Sequence, residues 1–335
     1  MGLTAAEFFA GMGLVRLALS QSGISTVFAN DKDPVKERLY RANFGDGEFL
    51  REDICNLSGR DIPSVDLATA SSPCTDLSLA GSRRGLDGEQ SGTLWEFIRL
   101  IREMGRRRPR AILLENVPGF LTVNGGRDFR AILNRLARLG YCCDVILLDA
   151  AGFVPQSRRR LFVVGSQGPS HMLRLDSKPP ERCRERLRDI VERLPRSSPH
   201  WWSEDRMKAF SNSILPLQMQ RLADLERSSR LEFRTAYRRT RGGRSVWEIR
   251  ADEIAGALRT CRGGSSKQAL VQAGRGGFRA RWLLPVEYAR LQGAGGVKLD
   301  AVSPTQALFA LGDAVCVPAV AWLASTRLLP LLKEN

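Results

Sequence analysis

Of the 335 residues 43% are hydrophobic, enough to bury a large core and to exclude a chain that is disordered by default. Seven cysteines without a Cys-x-x-Cys pair, and only two histidines (His171 and His200), point to a reducing compartment and away from a zinc site or any local metal cluster. The formal net charge is +15, and the stretch from Gln156 to Arg262 holds 24 Lys/Arg against 13 Asp/Glu, so most of the excess sits in under a third of the chain.

In chain order, apolar runs and amphipathic stretches alternate through the first 165 residues. Strands are expected at Ala6 to Ala10, Ser25 to Ala29, Val65 to Ala70, Ala111 to Glu115, Cys143 to Leu148 and Leu161 to Gly165. Helices are expected at Leu14 to Gln21, Pro34 to Asn43, Thr93 to Arg106 and Arg127 to Leu139. That alternation predicts an α/β fold with a doubly wound, mostly parallel sheet. Past Gly165 the periodicity breaks at Pro179-Pro180, Pro195, Pro199, Arg241-Gly242-Gly243-Arg244 and Arg262-Gly263-Gly264-Ser265-Ser266, so a second, smaller, irregular domain is expected there. Regular patterning resumes at Pro285 to Leu291 and Pro304 to Leu329. The expected boundaries are 1–167, 168–281, and a C-terminal segment 282–335 that packs back on the first domain. No basic leader region precedes the first strand and no apolar run is read as approaching the 18 residues of a membrane span, so a soluble cytoplasmic protein is expected.

Chemistry-bearing residues fall at the strand ends. Phe9-Ala10-Gly11-Met12-Gly13 closes the first strand and opens a helix, which lets a ligand approach the backbone of Gly11 and Gly13. The third glycine of a dinucleotide fingerprint is missing, which favours another adenosyl compound over a pyrophosphate cofactor. Asp31 ends the second strand, where a carboxylate can accept from ribose hydroxyls, and Asp53-Ile54 follows the third, where an acid and an apolar side chain can face an adenine. Cys74 stands behind Pro73 where the strand ending at Ala70 opens into a loop; a lone cysteine is most often inert and buried, so it gains meaning only from its neighbours. Glu115-Asn116-Val117 puts a carboxylate at the end of a buried strand, costly unless paired or used. Gln156-Ser157-Arg158-Arg159-Arg160 leads into the next strand, and alternation sends Arg158 and Arg160 to one side, able to hold that carboxylate, a phosphate or a carbonyl oxygen. In the basic stretch, arginines interleave with Trp201, Trp202, Phe233, Tyr237 and Trp247, which suits nucleic-acid contacts better than solubility alone.

Taken in order and spacing, these residues resemble the DNA (cytosine-5)-methyltransferases. Phe8-Phe9-Ala10-Gly11-Met12-Gly13, Pro73-Cys74 with Ser78, Glu115-Asn116-Val117 and Gln156-x-Arg158-x-Arg160 match the early motifs. Leu258-Arg259-Thr260, Pro285-x-Glu287-x-x-Arg290-Leu291-Gln292-Gly293 and Leu311-Gly312-Asp313-Ala314-Val315-x-Val317-Pro318 match the late ones. Only about residues 168–250 fall outside the resemblance, where the family carries its variable target-recognition domain.

The resemblance implies a Rossmann-like domain dependent on S-adenosyl-L-methionine, with S-adenosyl-L-homocysteine as product and no metal. Cys74 is then the nucleophile toward cytosine C6, Glu115 protonates or shares a proton with ring N3, Arg160 contacts the base O2, and Arg158 supports Glu115 or a phosphate. Phe9, Gly11, Gly13, Asp31, Asp53, Ile54, Pro73, Asp313 and Val315 would line the cofactor. Ser78, Arg83, Arg84, Gln156, Arg241, Arg244, Arg262 and Ser265 would meet DNA, and the glycines at 81, 85, 88 and 92 would let the segment after Cys74 close over it. The expected partner is double-stranded DNA, bound by a monomer, either beside an independently acting restriction endonuclease or as a solitary enzyme; a tRNA cytosine-5 methyltransferase or an inactive DNA-binding paralogue are the alternatives. Four features depart from the family pattern: Glu7 stands where Asp is usual, Leu14 where a third glycine is common, Asp313 where Asn is usual, and Ala294-Gly295-Gly296 follows Gly293.

Overall fold

The computed structural model describes residues 2–73, 92–167, 178–260 and 267–333. Its contacts divide the chain into two units, one of residues 1–149, 159–179 and 315–335, the other of residues 150–158 and 180–314.

The first unit opens with β1 (Leu3–Phe8), α1 (Leu14–Ser20), β2 (Ile24–Asp31), α2 (Pro34–Phe44), β3 (Phe49–Arg51) and β4 (Leu67–Ala70). It continues through α3 (Thr93–Glu103), β5 (Ala111–Asn116), α4 (Arg127–Arg138), β6 (Cys142–Asp149) and β7 (Arg159–Ser166). The strands form one seven-stranded sheet in the order β3-β2-β1-β4-β5-β7-β6. All pairings from β3 to β5 are parallel, and β7 runs antiparallel between β5 and β6. Strands β4 and β5 are buried at every residue, which is why they read in the sequence as unbroken apolar runs rather than alternating ones. Phe8, Phe28, Phe97, Ile112, Leu114 and Val163 are among the buried side chains that join the sheet to the flanking helices.

The second unit is more regular than its sequence suggests. It holds α5 (Leu187–Ile190), α6 (Glu204–Asn212), α7 (Pro216–Glu226), β8 (Glu232–Arg241), β9 (Arg244–Ile249), β10 (Ala269–Gly274), β11 (Gly277–Trp282), α8 (Pro285–Leu291) and α9 (Pro304–Asp313). The four strands make an antiparallel sheet in the order β11-β10-β8-β9. Gly242-Gly243, read from the sequence as a break, is a two-residue hairpin turn with both φ angles positive, at 54° and 76°, and joins β8 to β9. Phe210, Leu222, Ala236, Trp247, Val271 and Ala280 lie in the separate core of this unit.

The expected boundary at residue 282 moves. Helices α8 and α9 group with the second unit, because Glu287 of α8 is locked to Arg281 of β11 and the Tyr288 hydroxyl accepts from the Gln268 N–H. From Val315 onward, α10 (Val317–Leu323) and α11 (Leu329–Lys333) belong to the first unit, where α10 packs on α1. The stretch Pro304–Lys333 is, contrary to the expectation from sequence, long and apolar enough to cross a membrane; 67% of its apolar window is buried within the protein, as in core helices of water-soluble folds.

Candidate active site

In the first unit the carboxyl ends of β1, β2, β4 and β5 gather the predicted residues along one sheet edge, and two of these strand ends are tied to each other. Strands β4 and β5 pair from Leu67 with Ala111 to Ala70 with Leu114, and two residues further on the same offset brings Ser72 to Asn116. Asn116 Nδ2 donates to Ser72 Oγ at 3.1 Å, while its Oδ1 accepts from the Val117 N–H at 2.8 Å. This side-chain clamp fixes the backbone one residue before half-buried Pro73, from which the chain enters Cys74. Cys74 itself lies outside the described residues, as do Ser78, Arg83 and Arg84 and the glycines at 81, 85 and 88.

Glu115 lies opposite Phe162 of β7, which puts Arg160 at the diagonal position on the same face. Arg160 Nε meets Glu115 Oε1 at 2.9 Å; the arginine side chain is 19% exposed and the glutamate 10%. Charge-assisted bonds of this kind fix a carboxyl group in place while leaving its second oxygen for another partner. A small, largely apolar cavity is lined by Ser72, Leu114, Glu115, Asn116, Phe120 and Leu161 among others, next to the clamp.

The glycine turn is built for close approach. Phe9 holds φ 55°, a conformation costing on the order of 1 kcal/mol or more for a residue with a side chain, and Gly11 and Gly13 follow at 58° and 85°. A Cβ on Gly13 would stand 2.4 Å from the Phe44 ring, so only glycine fits there. The Asp31 carboxylate accepts from the Gly11 N–H at 2.9 Å and from the Asp33 N–H at 3.0 Å, which uses two of its roughly four acceptor positions and anchors the turn to the end of β2. Asp53 accepts from the Cys55 N–H and pairs with Lys32 Nζ at 2.9 Å; that lysine, with the backbone N–H, holds its carboxyl below the usual range. Ile54 is only 4% exposed and joins the core below the turn. A turn without room for a side chain at Gly13, followed by two acidic strand ends, fits an adenosyl group.

Two predicted residues do other work. The expectation that Arg158 supports Glu115 is corrected: β7 begins at Arg159, so strand alternation does not govern Arg158. Its buried guanidinium donates to the carbonyls of Leu258 (2.5 Å), Gly312 (3.2 Å) and Ala314 (2.8 Å), stitching the late motifs together within the second unit. Gln156, expected on DNA, is fully buried; its amide donates to the Leu291 carbonyl at 2.7 Å and its oxygen accepts from the Leu258 N–H at 3.1 Å.

Asp313 is exposed at the end of α9 and accepts from Thr260 Oγ1 at 2.8 Å, while Val315, 4% exposed, belongs to the first unit. At the β8–β9 hairpin Arg241 is tied to Glu248 at 2.8 Å and Arg244 is exposed; Arg262 and Ser265 lie outside the described residues. Sequence reasoning missed the Ser72–Asn116 clamp, although Asn116 next to Glu115 was its visible signal. It also missed the buried pair Arg281–Glu287, whose signal was a glutamate three residues after Leu284 at a helix start.

A family model for C-5 cytosine-specific DNA methylase matches residues 3–326. The chain is 30% identical over 226 residues to the Type II methyltransferase M.Bsp6I of Bacillus sp. (strain RFL6), an alignment covering 66% of this chain and 70% of that protein. It is 29% identical over 333 residues to the Type II methyltransferase M1.ScrFI of Lactococcus lactis subsp. cremoris, covering 98% of this chain and 78% of the other. In fold it resembles the Entamoeba histolytica methyltransferase EhMeth, with a TM-score of 0.69 at 16% identity over 100% of this chain and 98% of that one. With the match running through both units, the chain belongs to the C-5 cytosine-specific DNA methylase family.

Proposed function

We propose that this DNA methyltransferase acts on C5 of a flipped-out cytosine in a specific duplex sequence, through a covalent bond between Cys74 Sγ and ring C6. The observation that supports the reading best is the Arg160–Glu115 pair, held at a strand end beside the Ser72–Asn116 clamp that fixes the chain just ahead of Cys74.

Cytosine C5 is a weak nucleophile until C6 gains a substituent. As the Cys74 thiolate adds to C6, Glu115 gives or shares a proton at N3 and so neutralises the charge that develops on the ring. Arg160 keeps the Glu115 carboxyl in position, and its other N–H groups are suited to the base O2. Once C5 carries the methyl group, loss of the C5 proton and cleavage of the C6–S bond restore the ring and the thiolate. C6 cannot be reached inside a stacked duplex, so the base must leave the helix.

S-adenosyl-L-methionine, the cofactor the family implies, supplies a methyl group on a sulfonium when bound. Phe9, Gly11, Gly13, Asp31, Asp53 and Ile54 are the residues that would hold it, with Pro73 and Val315 as further contacts. The Type II relatives suggest a modification enzyme whose endonuclease, if present, acts independently.

The test begins with expression in a methylation-free host and bisulfite sequencing, which gives the site. A duplex carrying 5-fluorocytosine at that site should then form a denaturation-resistant adduct with protein and cofactor, and Cys74→Ser should abolish it. An adduct that survives in Cys74→Ser would refute the mechanism.

A further inference from the structure

The arginines of the second unit fall into two sets that the sequence does not distinguish. At the β8–β9 hairpin, Arg239 and Arg241 both pair with Glu248, at 3.1 and 2.8 Å, so their charge is largely answered within the protein. At the opposite edge of the sheet, Trp201 and Trp202 run alongside β11: Trp201 bridges to Arg281, and the Trp202 N–H donates to the Ala280 carbonyl at 2.9 Å. Here the guanidiniums rest on indoles. Arg279 lies 3.9 Å from the Trp201 ring centre, and Arg206, on α6, lies 4.6 Å from Trp202 and 4.9 Å from Trp282.

Among the described residues neither Arg206 nor Arg279 forms an ion pair with an acid, and neither does the exposed Arg196. Like charges surround them. Burial and the neighbouring Arg238 lower the Arg206 pKa, and burial with Arg196 and Arg281 does the same for Arg279. Holding unanswered cations close together is unfavourable in the free protein and becomes favourable when a polyanion arrives. Stacking on indoles also restricts each guanidinium before binding, so less entropy is lost when its outward N–H groups meet a phosphate oxygen.

We infer that the edge formed by Arg196, Arg206 and Arg279 over Trp201, Trp202 and Trp282 is the phosphodiester-binding surface of the second unit. The hairpin arginines Arg239 and Arg241, by contrast, contribute little to phosphate binding. The inference rests on the duplex-DNA reading of function, and locates where the backbone is gripped.

The test is the salt dependence of duplex binding by the full chain, measured by fluorescence anisotropy between about 50 and 300 mM salt. Each lost phosphate contact removes roughly 0.9 from the slope of log K against log salt. Arg206→Gln/Arg279→Gln should flatten the slope by about 2 and weaken binding about 10- to 100-fold near 0.1 M salt. Arg196→Gln, which disturbs no stacked ring, should flatten it by about 1, and Arg206→Lys/Arg279→Lys should keep it. Arg241→Gln should move it by less than about 0.5.

Unchanged slopes in both the double variant and Arg196→Gln overturn the inference, and wild-type methyl transfer measured in parallel shows that the functional reading survives. Loss of binding to polyglutamate without loss on DNA also overturns it, since the surface would then serve an acidic protein. Flattened slopes on DNA support it even if the wild type fails to methylate cytosine, an outcome that would sink only the functional reading.

Discussion

The strand-end carboxylate of the first unit and the buried one of the second are both paired with arginine, yet they are built oppositely. Glu287 and Arg281 are 0% exposed, and the carboxylate is saturated: it accepts from both terminal nitrogens of Arg281 and from the N–H groups of Leu284 and Glu192. Among the described residues Glu115 is paired with one arginine, Arg160, through a single side-chain contact at a strand end. A saturated pair has nothing left for a ligand and holds α8 to β11. A pair with spare acceptor capacity at a strand end is suited to a proton or a base.

Changing each glutamate to glutamine separates the two roles. Glu115→Gln keeps the shape and removes the transferable proton, so methyl transfer should fall by about 10²- to 10⁴-fold while the melting temperature moves by no more than about 2 °C. Single-turnover assays and thermal unfolding check the two halves; a variant with wild-type turnover would remove Glu115 from the chemistry. Glu287→Gln leaves the Arg281 guanidinium buried without its counter-charge. It should cost about 3–5 kcal/mol in urea unfolding, with any loss of activity tracking loss of folded protein. If Glu287→Gln is neutral in stability but inactive, the contrast between the two pairs fails.

The contrast also explains what could be read from the sequence. In the first unit, buried strands such as Ala111–Asn116 are apolar at nearly every position, and the few polar residues at their ends are the functional candidates. In the second unit, arginines such as Arg238 and Arg279 lie against indoles, so charged letters stand at half-buried strand positions and hide the strand period. The Gly242-Gly243 pair looked like a break because its flanking strand, Glu232–Arg241, ends in four polar residues in a row. Arg158 was misread for a different reason. Alternation predicts faces only within a strand, and β7 starts one residue later. Gln156 showed that a residue matching a family motif can serve the backbone rather than the substrate.

A third carboxylate sharpens the comparison because no arginine or lysine forms an ion pair with it among the described residues. Glu7, in the centre of the parallel sheet, is 1% exposed and meets only the backbone N–H groups of Val15 and Arg16 at the start of α1, without close hydrogen-bond geometry; Oγ1 of Thr69, its neighbour in register on β4, makes no hydrogen bond. The charged and titratable groups around it are Arg16 of α1, Asp31 of β2 and Tyr40 of α2, and burial outweighs the pull of Arg16, raising its pKa from 4.5 to about 8. Below pH 4.5 the carboxyl is protonated in folded and unfolded chains alike. Between 4.5 and 8 the unfolded chain releases the proton and the folded one keeps it, so stability declines as pH rises and levels off above 8. Glu7→Gln removes that decline. The variant should match the wild type below about pH 4.5 and exceed it by on the order of 4 kcal/mol at pH 8, opposite in sign to Glu287→Gln. Urea unfolding at several pH values reads the difference directly. A variant less stable than the wild type at pH 8 would mean that Glu7 is charged and satisfied in the folded protein, like Glu287.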